Sequence, residues 1–170
     1  MKIRYKKLVP EVKAPFRKYD DDAGYDLYAV SKTETEKYIE YGTGIAIEIP
    51  TGYVGLIFPR SSVTEKDFML KNCVGVIDAQ YRGEIRCRFA RIPSTEFKDL
   101  LMCQDDKKKN IRSHIEIVWS NENQYEIGER IVQLIIIPIP PVELVESDEL
   151  SETERGTGGY GHTGKWYGKI

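Results

Sequence analysis

Three cysteines and two histidines are all that this 170-residue chain offers a soft metal. Cys73, Cys87 and Cys103 form no C-x-x-C pair, which argues against a typical zinc site. An odd, widely spaced set of thiols fits a reducing compartment, with Cys73 and Cys87 expected as small buried apolar residues. A basic excess is missing too. The chain has 25 Lys and Arg against 27 Asp and Glu, a net charge of −2, which argues against nucleic acid as a direct partner. The cationic run Lys107 to Lys109 lies beside Asp105 and Asp106 and reads as a solvated loop. The longest apolar stretch, residues 131–141, is broken by Gln133 and Pro138 and is too short to cross a bilayer. The segment from Met1 to Lys7 lacks the apolar core of a signal peptide. A cytoplasmic protein without membrane attachment is expected. Helical periodicity is scarce as well, with only Thr64 to Leu70 and Thr95 to Met102 patterned for short helices.

Period-two alternation fills the space that helices leave. Ile45, Ile47 and Ile49 alternate with Ala46 and Glu48; Ile85, Cys87 and Phe89 with Arg86 and Arg88; Ile115, Ile117 and Trp119 with Glu116 and Val118. Each run reads as a strand with one buried face. Further strands are expected at Ile3 to Val9, Tyr25 to Val30, Tyr53 to Phe58 and Val74 to Ile77. Ile131 to Pro138 is apolar on both faces, as a strand deep in a sandwich or a subunit interface would be. Turns are signalled at Pro50-Thr51-Gly52, Tyr81-Arg82-Gly83 and Ile127-Gly128. Many strands at close intervals indicate an all-β sandwich or barrel, and the length suits one domain. The packed body is expected over residues 1–145, with a polar insertion at 93–124 and a flexible arm at 146–170.

Several stretches carry groups suited to chemistry. From Arg155 to Lys165 the chain reads R-G-T-G-G-Y-G-H-T-G-K, a composition that wraps backbone N–H groups around phosphate oxygens. It follows no strand and opens no helix, so it suits either a lid over a bound triphosphate or a frayed tail. In N-C-V-G-V-I-D-A-Q-Y-R-G, Asn72 to Gly83, an apolar strand ends at Asp78, where a carboxylate can orient and deprotonate water, and Tyr81 can lie against a sugar or base. An Asx-type turn explains the same residues without function. In F-P-R-S-S, Arg60, Ser61 and Ser62 suit phosphate contacts, while Ser62 equally suits an N-cap for a helix starting at Val63. Asp26 interrupts an apolar strand and needs either hydrogen-bond partners or a cation, and Gln133 is the polar exception in its strand.

Taken in order, A-G-Y-D-L, P-R-S, G-V-I-D-A-Q-Y-R-G, G-E-R-I-V-Q and R-G-T-G-G-Y-G-H-T-G resemble the five motifs of the trimeric dUTPases. The resemblance spans most of residues 1–92 and 125–165. It implies a jelly-roll-like, β-clip fold, a homotrimer with a swapped glycine-rich arm, and hydrolysis of dUTP to dUMP and pyrophosphate, which limits uracil incorporation into DNA. It implies roles as well. Asp78 would hold the attacking water, Tyr81 would pack under deoxyribose, and Asn72 would read uracil. Ser61 and Ser62 would contact the phosphate chain, with Arg60 supporting that side. Asp26 and Gln133 would act through waters on Mg²⁺ chelated by the triphosphate. From the arm, Tyr160 would stack on uracil, and Arg155, His162 and Thr163 would face the terminal phosphates. Gln80 and His162 depart from the usual family residues, and the insertion lengthens the link between the third and fourth motifs. Two alternatives stand beside hydrolysis. One is a dCTP deaminase-like enzyme of the same fold, with Glu84 and Glu65 as candidate acids. The other is a nucleotide-gated regulatory protein that offers the insertion to a protein partner.

Overall fold

Alternating β-branched and aromatic residues favour pleated, half-buried strands, and the computed structural model is all-β, as the alternation predicts. It describes residues 1–92, 94–98, 114–118 and 123–159. The strands are β1 (Arg4–Lys7), β2 (Tyr25–Tyr28), β3 (Ser31–Glu34), β4 (Ile39–Gly42), β5 (Ile45–Glu48) and β6 (Tyr53–Pro59). They continue with β7 (Phe68–Leu70), β8 (Gly75–Ile77), β9 (Arg86–Arg91), β10 (Ser94–Lys98), β11 (His114–Val118) and β12 (Arg130–Pro138). One four-stranded sheet runs β2-β12-β6-β8 and another β3-β4-β9-β7; β1 pairs with β5, and β10 with β11. Every pairing among these strands is antiparallel.

The two larger sheets share one core. Leu27, Ile57, Ile131 and Leu134 enter it from the first, and Ile39, Tyr41, Phe68 and Phe89 from the second. Tyr41, Phe68, Phe89 and Tyr125 meet edge to face, with centroids as close as 5.0 Å between Phe68 and Phe89. That arrangement sets the positive ring edge on a negative face and adds about 0.5–1.5 kcal/mol per pair beyond area burial. The ring of Tyr125 is 2% exposed, and it follows directly on the polar insertion.

Four local expectations are corrected. The stretch from Thr64 to Leu70 is not an α-helix. A 3-10 turn at Ser61–Glu65 gives way to β7, where Phe68 and Leu70 are buried and Met69 is 48% exposed. That alternation pairs β7 with β9, and tertiary pairing overrides the weak helical pattern. Ser62 is also not a helix cap, because Arg60 occupies the cap position and no side chain caps the turn. Thr95 to Lys98 lies in β10, while residues 99–102 of the second expected helix lie outside the described residues. Cys87 is buried as expected, but Cys73 is exposed, in a turn at φ 59°.

The chain divides into two compact units, Met1–Pro140 and Pro141–Ile170. Among the described residues no helix is long and apolar enough to cross a membrane.

Candidate active site

A β-bulge in β12 builds the first half of the site. Arg130 faces Tyr28 of β2, but Val132 faces Leu27, so Ile131 is an extra residue with no opposite number. The bulge resets the alternation: Ile131 and Val132 are both fully buried, and Gln133 comes to face Asp26 across the ladder. Residues directly opposed in an antiparallel pair project to the same face, so Gln133 and Asp26 stand side by side. On its other flank Gln133 faces Phe58, and its Nε2 donates to the Pro59 carbonyl at 3.3 Å.

Asp26 has two arginine partners. Its Oδ1 accepts from Arg60 Nε at 2.8 Å and its Oδ2 from Arg130 Nη1 at 3.1 Å. The carboxylate side chain is only 17% exposed, so two guanidiniums offset much of its desolvation. Arg60 also donates to the Arg130 carbonyl at 3.3 Å, which fastens the end of β6 to the start of β12. A cleft of about 320 Å³ opens here, lined by Asp26, Arg60, Arg130, Gln133, Arg17 and Lys18, among others. Its lining holds four cations (Arg17, Lys18, Arg60, Arg130) against two carboxylates (Asp22, Asp26), a balance that suits an anion.

The turn after β8 builds the second half. Ile77 ends the strand, and the Tyr81 amide donates to the Asp78 carbonyl at 3.0 Å, closing a tight turn. Tyr81 then folds back, and its hydroxyl donates to the Glu84 carbonyl at 2.9 Å. Glycine at 83 is what allows this, since a Cβ there would strike the Tyr81 hydroxyl and lie 2.6 Å from its Cζ. Asn72 sits in the β7–β8 connection, where the Cys73 amide donates to the Leu70 carbonyl at 3.0 Å. Asn72, Asp78 and Tyr81 therefore share one cleft of about 580 Å³, with Ile57, Ile77 and Ile85 supplying apolar wall.

Charge at the rim of that cleft is locally paired. Glu40 accepts from Arg88 Nε at 2.7 Å and Arg86 Nη1 at 3.0 Å, and the Arg88 hydrogen bond leads in holding its carboxyl below the usual range. Glu84 accepts from the Gly44 amide at 2.8 Å on one oxygen and from Arg86 Nε at 2.8 Å on the other. It is thus engaged in holding the hairpin. Glu65, the other candidate acid for deamination, is exposed and lines neither cleft.

The residues singled out from sequence fall into separate groups within one chain. Asn72, Asp78 and Tyr81 line the larger cleft; Asp26, Arg60 and Gln133 line the smaller; the two share no lining residue. Ser61 and Ser62 lie in the 3-10 turn and line neither, although Ser62 Oγ is 3.5 Å from Arg60 Nη1 and 3.4 Å from the Tyr125 hydroxyl. Arg155 is described in the second unit, where its Nε donates to the Gly158 carbonyl at 2.9 Å. Tyr160, His162 and Thr163 lie outside the described residues. Arg130 belongs with the site and was not singled out from sequence. Its signal was its place in G-E-R, three residues before Gln133, but the pairing with Asp26 depends on the bulge.

A β body with a carboxylate–tyrosine turn over one cleft and an arginine-rich second cleft is shared with a known family. The dUTPase family matches residues 10–98 and 94–164. The deoxyuridine 5′-triphosphate nucleotidohydrolase of Corynebacterium diphtheriae is 38% identical over 166 residues, covering 95% of this chain and 92% of that protein. Its counterpart in a Hydrogenobaculum species is 37% identical, over 96% of this chain and 99% of that protein. Among solved structures, the dUTPase of Staphylococcus bacteriophage 80alpha with dUpNHpp superposes with a TM-score of 0.70 at 30% identity, covering 96% of this chain and 99% of that one. The chain belongs to the dUTPase family.

Proposed function

We propose that this chain hydrolyses dUTP to dUMP and pyrophosphate in the cytoplasm, limiting uracil incorporation into DNA. The observation that carries the proposal is the single cleft lined by Asn72 from the β7–β8 connection and by Asp78 and Tyr81 from the turn after β8, in a member of the dUTPase family. Uracil enters beside Asn72. Tyr81 lies under the deoxyribose and leaves no room for a 2′-hydroxyl. Asp78 takes a proton from water as the water oxygen bonds to the α-phosphorus in line. The bond from that phosphorus to the bridging oxygen breaks, and pyrophosphate leaves. Positioning and fixed charge supply most of the acceleration.

Ser61, Ser62 and Arg60 serve the phosphate chain. Arg155, His162 and Thr163 of an arm formed by residues 146–170 face the terminal phosphates, and Tyr160 stacks on uracil. The donor set fits Mg²⁺ carried on the substrate. Among the described residues no three His, Cys, Asp or Glu side chains gather as a metal cage. Asp26 and Gln133, neighbours in the ladder, suit contact through the waters of an ion that sheds them reluctantly. Both Asp26 oxygens keep lone pairs beyond those taken by the arginines. When bound, the ion would neutralise charge on the phosphate oxygens. Because the two clefts share no lining residue, a homotrimer that sets one copy's cleft against another's would complete the site.

Pyrophosphate release measured across dUTP, dTTP, dCTP and UTP with Mg²⁺ tests the proposal. Strong preference for dUTP is expected, and equal rates on dTTP would remove the uracil assignment. Asp78→Asn should keep the fold and bind a non-hydrolysable dUTP analogue while losing about 10²–10⁴-fold in turnover. Ammonia release from dCTP would favour deamination instead, but Glu84 is engaged on both oxygens and Glu65 lines neither cleft.

A further inference from the structure

Lys66 follows directly on the 3-10 turn that carries Ser61 and Ser62, and it has no place in the chemistry set out above. Its side chain is 18% exposed and its ammonium is held from three directions. Nζ donates to the Gln124 carbonyl at 3.2 Å, lies 3.7 Å from Glu129 Oε2, and sits 4.9 Å from the centroid of the Tyr125 ring. Each partner leads elsewhere in the site. Tyr125 is anchored in the aromatic core and brings its hydroxyl to Ser62 Oγ. Glu129 accepts the Glu126 amide at 2.6 Å, in the turn where Gly128 at φ 94° feeds the chain into β12. That strand carries Arg130 and Gln133.

The next residue extends the pattern. The Asp67 carbonyl accepts the Ile92 amide at 2.7 Å, and its carboxylate accepts Asn123 Nδ2 at 3.4 Å. Ile92 directly precedes the insertion and Asn123 is its next-to-last residue, so both of its feet stand on the segment behind the serine turn. A short 3-10 turn with no capping side chain has little rigidity of its own. Within it Thr64 Oγ1 donates to the Ser61 carbonyl at 2.7 Å, and the rest of its support comes from its neighbours.

We infer that Lys66 is a positioning residue: its ammonium, clamped between Tyr125, the Gln124 carbonyl and Glu129, holds the Ser61–Ser62 turn in register with β12. The inference rests on the proposed role of those serines toward the phosphate chain. A long-range attraction between Lys66 and phosphate is the rival account, and the two differ in sign for one variant. Glu129→Gln removes one negative charge but also the ionic tie to Lys66, and its amide oxygen can still accept the Glu126 amide.

The test is calorimetric binding of α,β-imido-dUTP with Mg²⁺, and of deoxyuridine, to the full chain. Lys66→Met, which keeps the aliphatic stem, should weaken analogue binding about three- to tenfold, the scale of one ordinary hydrogen bond, because Lys66 acts through the turn and not on the ligand. Deoxyuridine binding should not change. Lys66→Arg should recover most of the loss, and Glu129→Gln should weaken analogue binding. Tighter binding in Glu129→Gln, or equal losses for both ligands in Lys66→Met, would overturn the positioning role. Ser61→Ala separates the two layers of the argument. If it weakens analogue binding while Lys66→Met does not, Lys66 has no such role and the phosphate assignment stands. If neither variant weakens binding, both fall.

Discussion

Replacing Gly83 with alanine perturbs Tyr81 first, because the three atoms nearest an added Cβ all belong to that side chain. The new carbon would strike the Tyr81 hydroxyl and lie 2.6 Å from Cζ and 3.0 Å from Cε2. Carbon atoms rest at about 3.5–4.0 Å, so the ring must move by about 1 Å. The backbone itself is not strained, as Gly83 has no positive φ. The cost to stability is the Tyr81–Glu84 hydrogen bond, about 1 kcal/mol, since the ring is already 44% exposed. In a chain of this size that lowers the melting temperature by roughly 2–4 °C. The cost to function is larger. A reacting geometry misplaced by about 1 Å can lose about 10²-fold in rate. Steady-state turnover of dUTP and UTP, with thermal unfolding of the same preparations, separates the two effects. Gly83→Ala should lose about 10–100-fold in kcat/KM for dUTP and discriminate less against UTP, with near-native melting. Unchanged kcat/KM and an unchanged dUTP-to-UTP ratio would show that the ring at Tyr81 does not read the sugar.

Asp26→Ala strands two guanidiniums; with Arg130 42% exposed and Arg60 23% exposed, a loss of about 2–3 kcal/mol is expected in urea unfolding. A loss under 0.5 kcal/mol would show that the pairing is idle. Burial pushes Cys87 from 9.0, and Tyr41 from 10.0, up to about 12 each. Between those limits the folded chain keeps protons that the unfolded chain has lost, so their stabilisation is full below pH 9.0 and fades toward about 12. Melting temperature followed from pH 8 to 11 should fall, and Cys87→Val should soften the fall above pH 9.0; a flat profile refutes it. Ending the chain after Leu150 should leave the β body folded and cut turnover severely, and full activity would remove the arm from the site.

Alternation reveals β5, β9 and β11. β3 escapes it because all four of its residues are exposed, so pairing with β4, and not burial, makes it a strand; β4 escapes it too, because its buried pair Ile39 and Tyr41 is too short a run to show a period. β7 hides within a weak helical pattern because an apolar pair two residues apart, Phe68 and Leu70, is too short a run to tell one period from the other. The site residues legible in sequence are those whose type is unusual for their surroundings, such as Asp26 and Gln133 in apolar strands. Lys66 and Arg130 are unremarkable as surface cations until the fold pairs them with residues 58 to 104 positions away. Their role is a property of the pairing, and no local pattern carries it.

The bulge at Ile131 is the clearest case of such a property. Continuing the Arg130–Tyr28 register without it would set Ile131 opposite Leu27, Val132 opposite Asp26, and Gln133 opposite Tyr25. An apolar side chain would then stand beside the carboxylate, and the amide would be moved one residue along the strand, away from Asp26. With the extra residue in place, Ile131 and Val132 are both 0% exposed, and Gln133 keeps its place beside Asp26. A one-residue shift turns a side chain to the opposite face, so core and site make conflicting demands on an unbroken strand. One inserted residue satisfies both: two consecutive apolar side chains serve the core, and the polar residue after them returns to the face where the arginines meet Asp26.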